Sequence, residues 1–503
     1  MRSPCHGGRG AGWGFLFGLL TGPWGAADAA PLYSVGVDVT QTYNDNVNLA
    51  PSGQTQADWI TSVTPSLAVN EDAARVKFHL IYDPQENLYY GDTSQQVFQQ
   101  NLTSTGEVVL YPEMFFLDEQ AAINQQFVSA NGALGATTLT TNSNLQTVQS
   151  FNVTPIMKQH LGSIADSDTR FVYGQVSTSG NMIAPVENTE AKQVFTSGAY
   201  FGRLNWTVTA DRTENKSQNS PNDLLSGTSF KDTYGRAEGS YPITAGFSGL
   251  ASMGYERVSD PTLSSTMQGI TWYAGFQYHP SETTNVRLTY GRRYNGGDLE
   301  FSAKYDLGSE THLTASYSRS LETNQGALGA SLGQIAFVNG IPVSSVTGLP
   351  FNGGINPLTG TPLSPTGLTS GAVLQKNFQA TLTATRGRNT YSGALFYNRQ
   401  SQEVPASSAR TLGGNINWGR SLRPDLDSTV AVTYSHNTGG VGVFTGGTGT
   451  GATNFVTLTA GLIYTLSPTA SLRFNLQRSM TTSSTPGTDL NDDVVSVALH
   501  KQF

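Results

Sequence analysis

Apolar and polar residues alternate with a period of two along most of the chain, and this alternation limits the fold more than any other feature. In residues 456–464 an apolar residue stands at nearly every second position, and residues 270–278 and 472–476 repeat the pattern. Successive side chains of a β-strand point to opposite faces, so each segment predicts a strand with one apolar face. Each spans about ten residues, the length that a tilted strand needs to cross the hydrocarbon layer of a membrane.

The composition fits a wall with one face towards lipid and one towards water. Hydrophobic residues make up 37% of the chain and charged residues 13%. The charged fraction is too low for an ordinary disordered chain. A helical membrane protein would require an apolar stretch of about 18 residues, and none follows residue 30. The formal net charge of −8 is not typical of a nucleic-acid-binding protein, which usually carries a basic surface. The sequence therefore predicts an all-β fold, a closed antiparallel transmembrane β-barrel.

The alternation predicts about 22 strands, and weak segments between residues 100 and 245 leave a count of 18 or 20 open. The strands start near residues 32, 57, 74, 99, 114, 147, 168, 190, 203, 228, 246, 267, 283, 298, 311, 376, 389, 410, 427, 454, 470 and 492. Connections after even-numbered strands are short, and most others are long. This layout predicts short periplasmic turns, long extracellular loops and both termini in the periplasm. A helix over residues 115–127 is an alternative, because its apolar residues also roughly fit a period of 3.6.

The first 29 residues resemble a secretory signal peptide. Arg2 and Arg9 precede an apolar stretch over residues 11–20, and Ala27-Asp28-Ala29 fits a small-x-small cleavage site. Cys5 is the only cysteine and lies in this segment, so residues 30–503, the predicted barrel, contain no thiol. Only two or three residues separate the predicted cleavage site from the first strand, which leaves no room for an N-terminal plug domain.

The C-terminus resembles the signal by which the outer-membrane assembly machinery recognises its clients. Val495, Val497 and Leu499 alternate with smaller or polar residues before a terminal Phe503. Lys501 departs from the pattern, which usually has an aromatic or apolar residue at that position. The alternative is an ordinary last strand.

A repeated Tyr-x-Arg pattern near the ends of odd-numbered strands predicts an outward ring of arginines. Residues two apart share a face of a strand, and the apolar parity places these cations on the lipid side. Arginine pairs with phosphate through a planar fork, so lipopolysaccharide is the predicted contact. The alternative is a set of solvated strand ends. The predicted lipopolysaccharide-contacting residues are Arg212, Arg257, Arg292, Arg319, Arg399 and Arg478.

Residues 323–375 form a run of 53 positions without a charged side chain. Loops of this length are usually functional or disordered. We expect part of the run to fold into the lumen as a constriction or lid, with a flexible extracellular loop as the equal alternative. Strand positions that alternate with the apolar ones are expected to line the lumen. The sequence singles out Asn415, Asn417, Arg473, Asn475 and Gln477 among them.

The sequence contains no recognisable catalytic or cofactor-binding motif. The histidines after residue 30 are dispersed, and no nucleophile elbow, P-loop or zinc-protease pattern occurs. The carboxylates around Asp45, Asp92, Asp211 and Asp223 fall mostly in predicted loops. We therefore expect neither enzymatic activity nor a bound metal or cofactor.

Residues 42–51, Thr-Tyr-Asn-Asp-Asn-Val-Asn-Leu-Ala-Pro, resemble a segment that follows the first strand in a family of outer-membrane β-barrels found with PEP-CTERM/exosortase exopolysaccharide systems. Related β-barrel porins of exopolysaccharide clusters carry similar segments. The early first strand, the overall length and Phe503 agree with this family. The resemblance implies a cell-envelope or surface-polysaccharide context and assigns no active residues.

Two functions are consistent with these observations. The first is an outer-membrane pore or channel of a Gram-negative bacterium, serving export of a surface polysaccharide. The second is a structural or adhesive barrel that displays its loops without transport. The expected partners are outer-membrane lipid, lipopolysaccharide, the barrel assembly machinery and, in the first case, the polysaccharide. Nucleic acid is not an expected partner.

Overall fold

The computed structural model describes residues 32–91, 96–127, 132–179, 184–219, 227–331, 335–338, 341–344, 371–404, 406–440, 451–484 and 489–503. The strands are Leu32–Asn44 (β1), Asp58–Asp72 (β2), Val76–Tyr89 (β3), Gln96–Tyr111 (β4), Phe115–Phe127 (β5), Leu145–Leu161 (β6), Ala165–Thr178 (β7), Val186–Ser197 (β8), Asn205–Ser217 (β9), Ser229–Thr244 (β10), Phe247–Ser259 (β11), Met267–Ser281 (β12), Thr284–Arg293 (β13), Gly296–Asp306 (β14), Thr311–Thr323 (β15), Ile335–Val338 (β16), Ile341–Ser344 (β17), Ala372–Arg386 (β18), Asn389–Gln402 (β19), Ser407–Arg423 (β20), Leu426–Gly440 (β21), Ala452–Ser467 (β22), Ala470–Ser483 (β23) and Leu490–Gln502 (β24). Asn324–Ser331 forms helix α1, and Ala199–Phe201 forms a short 3₁₀ helix.

Twenty-two of these strands form one closed antiparallel barrel, because each pairs with its neighbours in sequence and the last returns to the first. Strand β24 pairs with β1 from Gln502 opposite Gly36 to Val494 opposite Asn44. The amide of Phe503 adds a hydrogen bond of 2.8 Å to the carbonyl oxygen of Val35. Strands β16 and β17 form a separate hairpin within the connection between β15 and β18.

The structure confirms the predicted strands and their number. Each barrel strand begins within four residues of the position predicted from the alternation. The helical alternative for residues 115–127 is wrong, since Phe115–Phe127 is strand β5. Cross-strand ladders with β4 and β6 supply its backbone groups with hydrogen-bond partners, which local periodicity over 13 residues does not reveal.

The connections divide the barrel into two ends. At the end that holds both described termini, hereafter the turn end, connections contain two to seven residues. At the opposite loop end five of the eleven connections contain more than ten residues, and the longest runs over residues 324–371. The β13–β14 connection is an exception, with only Tyr294 and Asn295, whose positive φ angles of 48° and 54° are those of a type I′ hairpin turn.

The ladder register separates an apolar outer face from a polar inner face. Leu395 and Ile416 are 64% and 69% exposed and share the outer face, whereas Asn415 and Asn417 alternate with Ile416 and point inwards. No helix in the described part of the chain is long and apolar enough to cross a membrane. The predicted signal peptide, residues 1–29, lies outside the described residues. The expected absence of a plug domain concerns that same segment and stays a prediction.

Candidate functional site: a closure at the loop end of the lumen

Strand β15 leaves the barrel wall near the loop end. Its ladder with β14 covers only Phe301–Asp306, which pair with His312–Tyr317. Beyond Tyr317 the strand continues to pair with β18 alone. Leu321, at an outward position of β15, is buried against Phe230, an inward residue of β10. The upper part of β15 therefore lies inside the line of the wall.

Arg319 fills the gap that β15 leaves beside the β13–β14 turn. Its guanidinium donates hydrogen bonds to the carbonyl oxygens of Arg293 and Gly297, at 3.0 and 3.1 Å, and lies 5.7 Å from the ring centre of Tyr294. Burial raises the pKa of the Tyr294 hydroxyl well above its usual range. The inward course of β15 directs the guanidinium of Arg319 onto these backbone carbonyls, and its predicted contact with lipopolysaccharide stays a prediction.

Helix α1 begins where β15 ends and lies in the lumen. The hydroxyl of Thr323 accepts a hydrogen bond from the amide of Gly326, which caps the first turn. The helix packs against β6, β7 and β8 on the opposite wall. There the side-chain amide of Asn152 donates a hydrogen bond of 2.7 Å to the carbonyl oxygen of Gly329.

Glycine permits this close approach. A Cβ atom added to Gly329 would lie 2.6 Å from Nδ2 of Asn188, and one added to Gly326 would lie 2.3 Å from Nδ2 of Asn215. Both distances are shorter than any van der Waals contact of carbon and nitrogen. The helix therefore fits against the wall because these two positions have no side chain.

Neutral amides join α1 to both sides of the barrel. Oδ1 of Asn324 accepts hydrogen bonds of 3.0 Å from Gln375 of β18 and from Gln400 of β19. The next residue, Gln325, is fully buried and donates a hydrogen bond of 2.8 Å to the carbonyl oxygen of Ala184 beside β8. Inward-facing residues of distant strands thus meet at two consecutive positions of the chain. We name Thr323–Gly329, with these wall contacts, the lumen closure.

A second segment, residues 132–144, lines the lumen near the ends of β1, β4 and β24. The amide of Ala136 donates a hydrogen bond of 2.8 Å to the carboxylate of Asp492, and Gln99 donates one of 2.9 Å to the carbonyl oxygen of Thr138. Leu139 is buried against Val47 in a small apolar cluster. This segment covers the wall on the side that α1 does not reach.

The inner wall of β10–β14 is filled by charged and aromatic side chains. The guanidinium of Arg293 makes a bidentate ion pair with Glu256, which is 5% exposed. It also lies between the rings of Tyr234 and Tyr294, at 4.8 and 4.4 Å from their centres. Guanidinium groups stack well on aromatic faces, so the cluster keeps its charge paired and shielded.

Nearer the turn end, further charged side chains on this wall also form ion pairs. Arg236 contacts Glu238 and Glu300, at 2.7 and 3.4 Å, and lies 4.5 Å from the ring centre of Tyr273. Arg287 makes the second contact to Glu238, at 2.6 Å. Arg236, Arg287, Glu238 and Glu300 thus pair with one another.

The inner wall of β18–β23 differs, because most of its side chains are neutral amides and hydroxyls. Four of the predicted lumen-lining residues, Asn415, Asn417, Asn475 and Gln477, face inwards here and are partly exposed. The fifth, Arg473, also faces inwards and lies 3.6 Å from Asp38 of β1. Their contact with a solute stays a prediction.

The other predicted outward arginines have exposed side chains near the loop end. Arg257 and Arg292 follow Tyr255 and Tyr290, which are 52% and 58% exposed on the same face. Arg478 lies 3.4 Å from the carboxylate of Asp493. The remaining members are Arg212 and Arg399. Lipopolysaccharide contact by these five residues stays a prediction.

The residues of the predicted assembly signal lie on the outer face of β24. Val495, Val497 and Leu499 are 39%, 42% and 48% exposed, and Phe503 is 78% exposed. Among the residues that the structure describes, no group of three or more His, Cys, Asp or Glu side chains is arranged to hold a metal ion.

Part of the uncharged run forms α1 and the β16–β17 hairpin, and residues 345–370 lie outside the described residues. The sequence did not single out the wall residues of the closure. Asn152, Asn188, Asn215 and Gln325 sit in ordinary polar positions, and no spacing connects them to residue 329. The two glycines of α1 were a weak signal, because glycine is uncommon inside a helix.

Comparisons with known proteins address the fold. Family models and curated proteins give no match to this chain. The siderophore receptor PiuA from Acinetobacter baumannii is 10% identical over 95% of this chain and 82% of its own, with a TM-score of 0.50. The siderophore receptor PirA from the same species and the FrpB iron transporter from Neisseria meningitidis are each 10% identical, with TM-scores of 0.49. They cover 95% and 93% of this chain, and 81% and 82% of their own.

The chain has an outer-membrane β-barrel fold. The shared architecture with PiuA, a closed barrel over nearly the whole chain, is what this likeness shows at 10% identity. Fold does not imply function, so the solutes of these receptors are not transferred to this chain. None of the comparisons links the chain to PEP-CTERM/exosortase systems, and that association stays a prediction.

Proposed function

We propose that this protein is a channel of the Gram-negative outer membrane that is closed at its loop end by Thr323–Gly329. The observation that carries the proposal is the seat of helix α1 in the lumen, where Asn152, Gln375 and Gln400 bind it through neutral hydrogen bonds. A net contribution of about 1 kcal/mol for each such bond lets a segment be held and still released. A buried ion pair would hold the segment more strongly, because separating it leaves an unpaired buried charge.

The proposed passage follows the inner wall of β18–β23. Amides and hydroxyls such as those of Asn417 and Asn475 replace the hydrogen bonds of water to a neutral polar solute without adding a fixed charge. The paired charges of β10–β14 leave that sector occupied by its own side chains. We propose a neutral polyhydroxylated solute, with surface polysaccharide as the specific case that the segment at residues 42–51 suggests.

The proposal includes the membrane setting. The apolar outer face contacts lipid, the turn end lies in the periplasm, residues 1–29 are removed on export, and the assembly machinery reads the C-terminal strand. The protein carries out no chemical reaction in this proposal and needs no cofactor.

A reversible crosslink across the closure tests the proposal. A Cβ atom at Gly329 would lie 3.5 Å from Cγ2 of Val176 on β7 but only 2.6 Å from Nδ2 of Asn188, so the disulfide is introduced as V176C/G329C in an N188A background that removes this clash. Conductance in planar bilayers should fall on oxidation and recover on reduction. The single variants V176C and G329C are the controls, and neither should respond to oxidant. Cys5 lies in the segment predicted to be cleaved, so it does not interfere.

Two results would contradict the proposal. A conductance that is the same in the oxidised and reduced double variant would show that Thr323–Gly329 does not control the passage. Absence of ion and sugar flux under both conditions, and also after deletion of residues 326–372, would favour the display barrel instead.

A further inference from the structure

Three cations stand side by side on the outer face of the barrel near its loop end. Lys376 of β18 is directly opposite Arg399 of β19, and Arg399 is directly opposite Arg410 of β20. Residues that pair in this way point to the same face, here the one that also carries Leu395 and Leu412. Arg399 and Arg410 are exposed, and Lys376 is partly exposed. We call these three residues the cation row.

The row lacks a carboxylate partner within the part of the chain that the structure describes. Like charges directly opposite one another destabilise a sheet, so three in succession need a counter-charge. The nearest acidic residue along these strands, Glu403, accepts hydrogen bonds of 2.8 and 2.6 Å from the backbone amide and hydroxyl of Ser264. Glu322 lies on the inner face, where Ser320 donates to it. The connection over residues 324–371 contains no charge in its sequence.

Apolar and aromatic side chains lie one step from the row towards the turn end. Phe378 pairs with Tyr397, and Tyr397 pairs with Leu412, all on the outer face. The guanidinium of Arg410 lies 5.3 Å from the ring centre of Tyr397. A ligand with an anionic head and apolar chains would therefore meet charge and apolar surface in the right order along the barrel.

We propose that the cation row binds the phosphorylated headgroup of a lipid in the outer leaflet, a glycolipid that carries two phosphates. Adjacent strands lie about 4.8 Å apart, so three positions cover roughly 10 Å, a width suited to two phosphates on one sugar headgroup. The two guanidinium groups supply planar forks for phosphate oxygens, and the ammonium group adds a compact positive charge. The acyl chains lie along Phe378, Leu395 and Leu412.

This site shares only Arg399 with the outward arginines predicted from the sequence. Lys376 and Arg410 were not among those residues, and Arg319, opposite Lys376, is engaged by the β13–β14 turn. Elsewhere the outward cations are separated, as Arg212 and Arg257 are by Thr233. The inference rests on the proposed outer-membrane location and not on conduction, so bilayer conductance and lipid binding can fail independently.

Native mass spectrometry of the full barrel in lipid-free detergent tests the site. The probes are lipid A with two phosphates and the same lipid without phosphate. We expect retention of the bisphosphorylated form and at least about tenfold weaker binding by the K376Q/R399Q/R410Q variant. The control R386Q/R388Q/R420Q removes the same charge at the turn end and should bind normally. If the triple variant does not fold, R399Q/R410Q is measured in its place.

Equal binding of the phosphorylated and dephosphorylated lipid would overturn the proposal, as would equal loss in the control variant. Inorganic phosphate at millimolar concentration is the third arm. We expect it to compete weakly, because it gains no contact with the apolar wall. Complete displacement by it would reduce the site to a phosphate site and overturn the assignment to lipid.

Discussion

Nδ2 of Asn152 lies 2.7 Å from the carbonyl oxygen of Gly329, so a residue of β6 binds a helix that leaves the barrel at β15. Eight barrel strands lie between β6 and β15 along the chain. A contact of this kind requires the helix to cross the lumen and not to project from the rim. The wall residue and the helix are both uncharged at this contact, which makes it independent of ionic strength.

Removal of the Asn152 amide should make the channel open more often. Asn152→Leu leaves the Gly329 carbonyl without its donor, and the loss of about 1 kcal/mol corresponds to a roughly fivefold change in the ratio of open to closed channels. Single-channel recording in planar bilayers measures this ratio. Asn417→Leu removes an amide from the inner wall away from α1 and should leave the ratio unchanged. An equal effect of both variants would argue against a specific role for Asn152.

A steric change in the helix should give the same result, and a second substitution should reverse it. Gly329→Ala places a methyl group 2.6 Å from Nδ2 of Asn188, which should displace α1 and increase open time. Asn188→Ala removes the clashing amide, so the double variant G329A/N188A should close again. The readout is single-channel open time. Failure of the second substitution to restore closure would mean that Gly329 acts through helix propensity and not through this contact.

The sequence predicted the wall of the barrel far better than its closure. In a strand with one face towards lipid, apolar and polar residues must alternate. This alternation is visible within a few residues, so the sequence predicts β22 and β12 directly. The contact of Asn152 with Gly329 joins positions 177 apart, through an amide and a backbone carbonyl that leave no local pattern. The charge-free run at residues 323–375 and, more weakly, the two glycines of α1 indicated that this connection is unusual.

Arg319 shows that parity predicts the direction of a side chain but not its hydrogen-bond partners. Its position relative to Tyr317 correctly predicts an outward direction on β15. The sequence gives no sign that the β13–β14 turn contains only Tyr294 and Asn295, which lets β15 pass inside the wall. Beside this short hairpin Arg319 donates hydrogen bonds to the backbone carbonyl oxygens of Arg293 and Gly297, which parity alone does not predict.

The Glu256–Arg293 pair should contribute strongly to the stability of the folded barrel. Arg293→Leu leaves the buried Glu256 carboxylate without its partner and should lower the free energy of unfolding by about 3–5 kcal/mol. The double variant E256Q/R293M removes both charges and should recover most of that loss. Urea unfolding followed by tryptophan fluorescence measures both. The surface pair Lys77–Glu107 is the control, and Lys77→Met should change the free energy by less than about 1 kcal/mol. Equal losses for the two single variants would contradict the importance of burial.

The ring of Phe503 should matter for assembly and hardly at all for the stability of the finished barrel. Its amide already binds Val35 through the backbone, and the side chain is 78% exposed, so the folded state gains little from the ring. Phe503→Ala should therefore reduce the amount of folded protein in the outer membrane severalfold while leaving urea unfolding of the purified barrel within about 0.5 kcal/mol of the original. Tyr33→Ala is the matched control, since Tyr33 is an aromatic residue at the same end of the barrel and 63% exposed. It should affect neither quantity. A Phe503→Ala variant that assembles normally would show that β24 is an ordinary last strand, and one that assembles poorly because it unfolds more readily would assign the ring a structural role.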